Sequence, residues 1–188
     1  KGVVRPKAGD DILPPDACPI EQTWEAMTKL PSTAKTRQVG VSNFSVAKLD
    51  TIAKAVGVTP AVNQVELHPY HAQSTLVAAM KERGVVATAY SPLGSGGRPD
   101  IMRRDDETRL LDDPVVAGIA QAHGSTSAQV LIAWALARGT AVIPKSTNPE
   151  RIAQNLAATR ITLTEEQVAA LDGLDRAERY VTGAFWCF

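Results

Sequence analysis

Cysteine is nearly absent: the 188 residues hold two, Cys18 and Cys187. They match no metal or redox spacing and make one disulfide at most, which suits a reducing compartment, so a cytoplasmic protein is expected. An excess charge of either sign is missing as well. Lys and Arg total 20 against 20 Asp and Glu, so no global field draws the chain to nucleic acid or to an anionic membrane. Any anion site must be local. No apolar run approaches the roughly 18 residues of a membrane span, and no signal peptide opens the text. The sequon Asn43-Phe44-Ser45 carries no meaning in that compartment. Also lacking is an initiator methionine: Lys1 runs straight into Pro-rich, polar text from Arg5 to Pro19. The expectation is that something has been removed, or that this is a piece of a longer sequence.

What remains is ordinary globular composition, 44% hydrophobic and 21% charged, in a length that suits one domain over residues 1–188. Four β-rich runs stand out: Arg37–Val41, Ala61–Leu67, Val85–Tyr90 and Thr140–Pro144. Segments with helical spacing lie between them. Ile20, Trp24, Met27 and Leu30 make an amphipathic stripe, and Val46, Leu49, Ile52, Ala53 and Val56 make another behind Ser45 as N-cap. Leu76, Val77 and Met80 follow Ser74, with Gly84 as the stop. Asp113-Pro114 and Asn148-Pro149 each read as an N-cap followed by Pro at the first helical position. Gly124 ends the first of these, and a further helix runs from about Ser127 to Arg138. Thr164-Glu165-Glu166-Gln167 reads as a capping box. Strands alternating with helices imply a parallel sheet with right-handed crossovers. Periodicity alone fits an open doubly wound sheet or half of a (β/α)8 barrel. Residues 94–112 form a long polar loop, either a lid or a solvated connection.

Chemistry concentrates where the strands end. After Ile143-Pro144 come Lys145, Ser146 and Thr147, then a helix whose unpaired N–H groups face back toward them, with Arg151 in its first turn. Such an end binds phosphate through N–H groups and the helix dipole; equally, these residues suit a capped helix with solvated cations. Ser42-Asn43 closes the first strand, Gln64 lies in the second, and Tyr90-Ser91-Pro92-Leu93-Gly94-Ser95 closes the third. Parallel α/β folds bind ligands at that edge. Gln64 is also readable as a satisfied core amide, and Tyr90 as a core aromatic or as a platform for a flat ring.

Four motifs then share one order and spacing: Gly40-Val41-Ser42-Asn43-Phe44, Asn63-Gln64-Val65-Glu66-Leu67-His68-Pro69-Tyr70, Ala89-Tyr90-Ser91-Pro92-Leu93-Gly94 and Ile143-Pro144-Lys145-Ser146. Together they resemble the aldo-keto reductase family, over about Thr23 to Leu174, and the fungal-type NADPH-dependent aldehyde and glycerol reductases most. The resemblance implies an α/β fold, half of a (β/α)8 TIM barrel, with this chain supplying strands five to eight and their helices. It implies NADP(H) as cofactor. Ser42, Asn43 and Gln64 match the positions that hold the nicotinamide carboxamide, and Tyr90 the residue stacked on the ring. Ser91, Leu93 and Ser95 match the pyrophosphate contacts; Lys145, Ser146 and Arg151 match the grip on the 2′-phosphate. Gln154 and Asn155 match the adenine end, with Gln in place of the more familiar Glu.

The same resemblance exposes a gap. The family's proton-donating Tyr, its Lys and Asp helpers and the substrate-orienting His come from earlier strands, and none of that text occurs here. The expectation is therefore a cofactor-binding half of a carbonyl reductase, inactive by itself, acting on a small aldehyde or ketone once complete. The missing half, or a second copy of this chain, would close it. A non-catalytic nucleotide-binding or interaction module, and a redox-sensing subunit, are the alternatives. His68 and His71 lack a third metal ligand, so no metal is expected, and His123 suits a helix C-terminus. Residues 175–188, ending Phe185-Trp186-Cys187-Phe188, match the family's C-terminal substrate loop.

Overall fold

The computed structural model describes residues 17–98 and 107–181. Helix α1 (Ile20–Thr28) precedes four β-strands, β1 (Val41–Ser42), β2 (Val62–Glu66), β3 (Val86–Tyr90) and β4 (Ala141–Val142). Between them run α2 (Val46–Val56), α3 (Ser74–Glu82), then α4 (Pro114–Ala122) and α5 (Ser127–Ala137); α6 (Pro149–Ala157) and α7 (Glu165–Asp172) follow β4. All pairings are parallel and the order is β1-β2-β3-β4. Each crossover carries at least one helix, as parallel pairing requires. Sequential strands are thus spatial neighbours, so the strand ends that carry Ser42, Gln64 and Tyr90 lie along one edge.

Local chemistry accounts for most helix ends. Ser45 Oγ accepts from the Lys48 N–H, and Gly57 at φ 73° closes α2. Asp113 accepts from Val115 and Val116 N–H groups with Pro114 next in line, and Asn148 accepts from the Arg151 N–H ahead of Pro149. Thr164 and Gln167 form the reciprocal box at α7. A second box, Thr126 with Gln129, opens α5.

Several expected boundaries move. The regular part of the first strand is Val41–Ser42, not Arg37–Val41: Val39 C=O still accepts from the Ala61 N–H at 3.0 Å, but continuous pairing begins two residues later. The last strand shortens from Thr140–Pro144 to Ala141–Val142. Both are edge strands among the described residues, with a ladder on one side only. Ser74 is the first residue of α3, not its cap; Gln73 caps it at φ 46°. Its amide donates to Glu66 C=O at 2.6 Å, a bond seven residues back along the chain that holds this uncommon conformation. Leu30 falls beyond α1 and leads into a 3-10 turn, Pro31–Thr33. Of the loop at 94–112, residues 99–106 lie outside the described residues, and Leu110–Asp112 form a 3-10 turn whose Leu110 is buried. Residues 1–16 and 182–188 also lie outside, with Cys187 among them.

Helices cover one face of the sheet. Val65 and Ala89 point into the main core with Val130, Leu131 and Trp134, while Ala87 joins Leu49, Met80 and Val85 in a smaller cluster. Helix α5 buries six consecutive residues, Val130 to Ala135, so it is apolar on every side and forms the centre of the helical layer. Gly40 lets β1 approach β2: a Cβ there would fall 2.4 Å from Val62 Cγ2 and 2.7 Å from Val62 O. Much of the opposite face is open among the described residues. Val62, Val86 and Ile143 stand 37, 45 and 48% exposed on it, where parallel sheets are ordinarily covered on both sides.

Candidate functional site

The C-terminal edge of the sheet builds one part of the site. Ser42 Oγ donates to Gln64 C=O at 2.9 Å, and the Asn43 N–H donates to the same oxygen at 2.8 Å. Register pairs Ser42 with Gln64 and Gln64 with Thr88, so these side chains form a row on the open face. The half-buried Gln64 amide makes no side-chain hydrogen bond to another described residue. Asn43 sits at φ 58° and its Oδ1 accepts from the Tyr90 phenol at 3.1 Å. Buried Asn63 braces the turn from below: its Oδ1 accepts from the Phe44 N–H and its Nδ2 donates to Phe44 C=O. Burial, and then the nearby Glu66 charge, push the Tyr90 phenol above its ordinary value, so it stays neutral and keeps donating to Asn43.

Of six described non-glycine residues with positive φ, three are sites expected from the sequence: Asn43, Ser91 at 51° and Ser95 at 50°. Backbone held in this region persists where surrounding structure enforces it. After Ser91 the chain turns through Gly94, φ 82°, whose Cα packs so closely that a Cβ would meet Leu110 and Tyr180 at 3.1 and 3.2 Å.

The second part is a cleft of about 430 Å³ beside the N-terminus of α6. Lys145, Ser146, Arg151, Gln154 and Asn155 line it together with Leu93, which leads back to the Tyr90 edge. All six are residues singled out from the sequence. Its remaining wall was not anticipated: Arg109, Leu111 and Asp112 from the 3-10 turn, and Thr126 to Ala128 from the start of α5. An ion pair at 3.1 Å joins Arg109 to Asp112, so one acid is already neutralised beside the cations. Ser146 Oγ accepts from the Asn148 N–H at 3.2 Å, turning the loop so that α6 begins at the cleft.

A buried polar cluster under the edge was missed too. Glu66 Oε1 accepts from the Tyr180 N–H at 2.6 Å and the Val181 N–H at 3.2 Å, and lies 3.1 Å from His68 Nε2, which therefore carries the proton. Burial alone would raise this carboxyl, yet the hydrogen bonds from His68 and Tyr180 hold it below the usual range. His71 behaves oppositely: burial first, then the Arg179 and His68 charges, depress it to about 4. A histidine kept neutral in the fold stabilises it fully above its ordinary 6.5, and that contribution is lost as pH falls toward 4. Melting temperature is accordingly expected to fall across that window, and His71→Asn to flatten this limb. An equally steep limb in the variant would remove His71 as its cause. No group of three potential metal ligands exists among the described residues, and His123 bonds Gln167 Oε1 at 2.9 Å across to α7. No described helix is long and apolar enough to cross a membrane.

The model of the aldo/keto reductase family matches residues 10–176. An aldo/keto reductase of Synechocystis sp., slr0942, is 49% identical over 181 residues, 96% of this chain and 55% of the relative. Aldo-keto reductase family 1 member A1 of Rattus norvegicus is 40% identical over 176 residues, 94% of this chain and 54% of its own length. The crystal structure of Gox0644 in its apo form aligns with a TM-score of 0.78 at 35% identity, covering 90% of this chain and 58% of that one. The chain spans about half the length of the curated relatives it matches. It belongs to the aldo/keto reductase family.

Proposed function

We propose that this chain supplies the NADPH cradle of a carbonyl reductase, built on half of a (β/α)8 barrel. The cleft at the start of α6 carries the reading: two cations and a serine converge on a helix N-terminus, joined through Leu93 to the edge that carries the Asn43 and Gln64 amides. A dinucleotide phosphate fits both ends. Lys145, Ser146 and Arg151 would hold the 2′-phosphate, with Gln154 and Asn155 beside the adenine. Ser91, Leu93 and Ser95 would border the pyrophosphate. Asn43 and Gln64 would grip the carboxamide, with Ser42 alongside, and the Tyr90 ring would lie against one ring face, excluding water from it. Bound there, the cofactor supplies hydride to the carbon of an aldehyde or ketone. Arg151 tests the assignment, since a charged phosphate contact is worth roughly 1.5–3 kcal/mol. Arg151→Ala is expected to weaken NADPH by about 10- to 100-fold while leaving NADH nearly unchanged, read by fluorescence titration. Equal NADPH affinities in the two proteins would sink it.

Closure of the sheet follows from the same reading. Val62, Val86 and Ile143 on the open face, and Ile152 and Leu156 on α6 at 51 and 72% exposed, need cover. So do the outer edges of β1 and β4, which pair neither with each other nor with another described strand. A complementary half with the missing strands, or a second copy, provides that cover, and the enzyme would work in the cytoplasm. The described residues 176–181 would then border the substrate side. Light scattering at micromolar concentration is expected to give a mass above one chain; a stable monomer that unfolds cooperatively would refute this closure.

A further inference from the structure

Glu66 lies two residues beyond Gln64 on the same face of β2 and opposite Tyr90 in the register, yet it is fully buried. Its cover is the segment that leaves α7. The Arg176 and Glu178 N–H groups donate to Tyr70 C=O at 3.3 and 2.9 Å, bringing the chain back to the sheet. The Tyr180 and Val181 N–H groups then both reach the Glu66 carboxylate, Val181 touching each oxygen at 3.2 Å. Tyr180 also donates its phenol to Thr108 C=O at 2.9 Å, and Arg176 bonds the Thr108 hydroxyl, so the segment holds one foot of the loop as well. Three N–H donors from two distant segments converge on one carboxylate. A buried carboxylate is tolerated only with such donors.

We propose that Glu66 is a positioning residue for the C-terminal segment: its carboxylate clasps Tyr180 and Val181 so that the chain departs from the edge that carries Gln64 and Tyr90. The side chain does not meet the cofactor. It sets where the segment begins, and through Thr108 it ties that segment to the loop at 94–112. Naming this edge the cofactor's rests on the function proposed above; the clasp itself does not.

Amide exchange by NMR tests it on the 188-residue chain without any ligand. Glu66→Gln keeps the shape but offers one acceptor and a donor where two acceptors stood. Exchange at Tyr180 and Val181 is expected to quicken by about 10- to 100-fold, as for lost charge-assisted bonds, with Val65 and Ala89 unchanged. Tyr180→Phe, which loses the phenol and its bond to Thr108 but keeps the backbone N–H, should leave the two amides within about threefold of wild type. Unaltered protection of Tyr180 and Val181 in Glu66→Gln overturns the clasp. So does an equal rise across the sheet, which marks a general loss of stability. Should Glu66→Gln not fold, a through-hydrogen-bond coupling between the Val181 nitrogen and the Glu66 carboxyl carbon in wild type supports the clasp, and its absence overturns it. NADPH affinity of Glu66→Gln within about twofold of wild type is the separate expectation; a large loss there contradicts a residue that does not meet the cofactor.

Discussion

Mixed with NADPH and a reactive aldehyde, protein shown by mass to contain only these 188 residues is expected to consume no cofactor above the solvent background. Carbonyl reduction needs a proton donor at the oxygen, and a positioned acid is worth about 10²–10⁴-fold. The three tyrosines are the natural candidates, and each is engaged. Tyr70 donates to Asp113 at 2.7 Å, and burial together with that carboxylate pushes its phenol up to about 12. Tyr180 donates to Thr108 C=O, and burial followed by the Glu178 charge raises it to about 12 as well. Tyr90 donates to Asn43 and is shifted the same way. A good acid loses its proton easily; these environments all resist that loss. His71 is no substitute, since a ring depressed to about 4 carries no proton to give at neutral pH. Steady loss of NADPH absorbance would show that one of these groups is reorganised by substrate. Restored turnover on adding a complementary half would place the acid there.

How much of this was readable beforehand depends on the range of the interaction. Caps at Asp113, Asn148 and Thr164 were legible because donor and acceptor lie within four residues. The box at Thr126 and Gln129 carries the same local signal at the start of α5. Residues of the two site parts were legible through motifs at strand ends, and the structure brings Lys145, Ser146, Arg151, Gln154 and Asn155 to one cleft. The wall given by Arg109 and Asp112 was not, since nothing local ties that turn to α6. Still less legible was Glu66, which meets Tyr180 across 114 residues of sequence. Within its motif it looks like any acid at a strand end. Gln73 fails for a related reason: its left-handed conformation follows from a bond to Glu66 C=O, and glutamine has no intrinsic preference for it. The edge strands β1 and β4 have a ladder on one side only among the described residues, and no local pattern records that.

Trp134→Ala is expected to be the most destabilising single truncation in the helical layer. The side chain is fully buried at the centre of α5, with Val130 and Leu131 beside it in the main core and Leu171 of α7 in the same cluster. Its Nε1–H donates to Asp172 Oδ1 at 2.8 Å, linking α5 to the end of α7, and the Arg138 guanidinium stacks 4.6 Å from its ring. Arg138 also donates to Ala72 C=O at 2.9 Å and to Ser74 Oγ at 3.0 Å, so the indole supports a tie from α5 to the start of α3. Removing the ring leaves a cavity that six consecutive buried residues cannot collapse to fill without moving the helix. The loss is about 3–5 kcal/mol, which lowers Tm by roughly 6–20 °C for a chain of this size. Trp134→Phe separates the contributions: it keeps most of the apolar volume but not the N–H, and an intermediate loss of about 1–2 kcal/mol is expected. Thermal melts followed by circular dichroism give both values. A Trp134→Ala protein melting within about 3 °C of wild type would mean that α5 is not the centre of this layer, because an effect that small belongs to surface substitutions and not to truncations in a core.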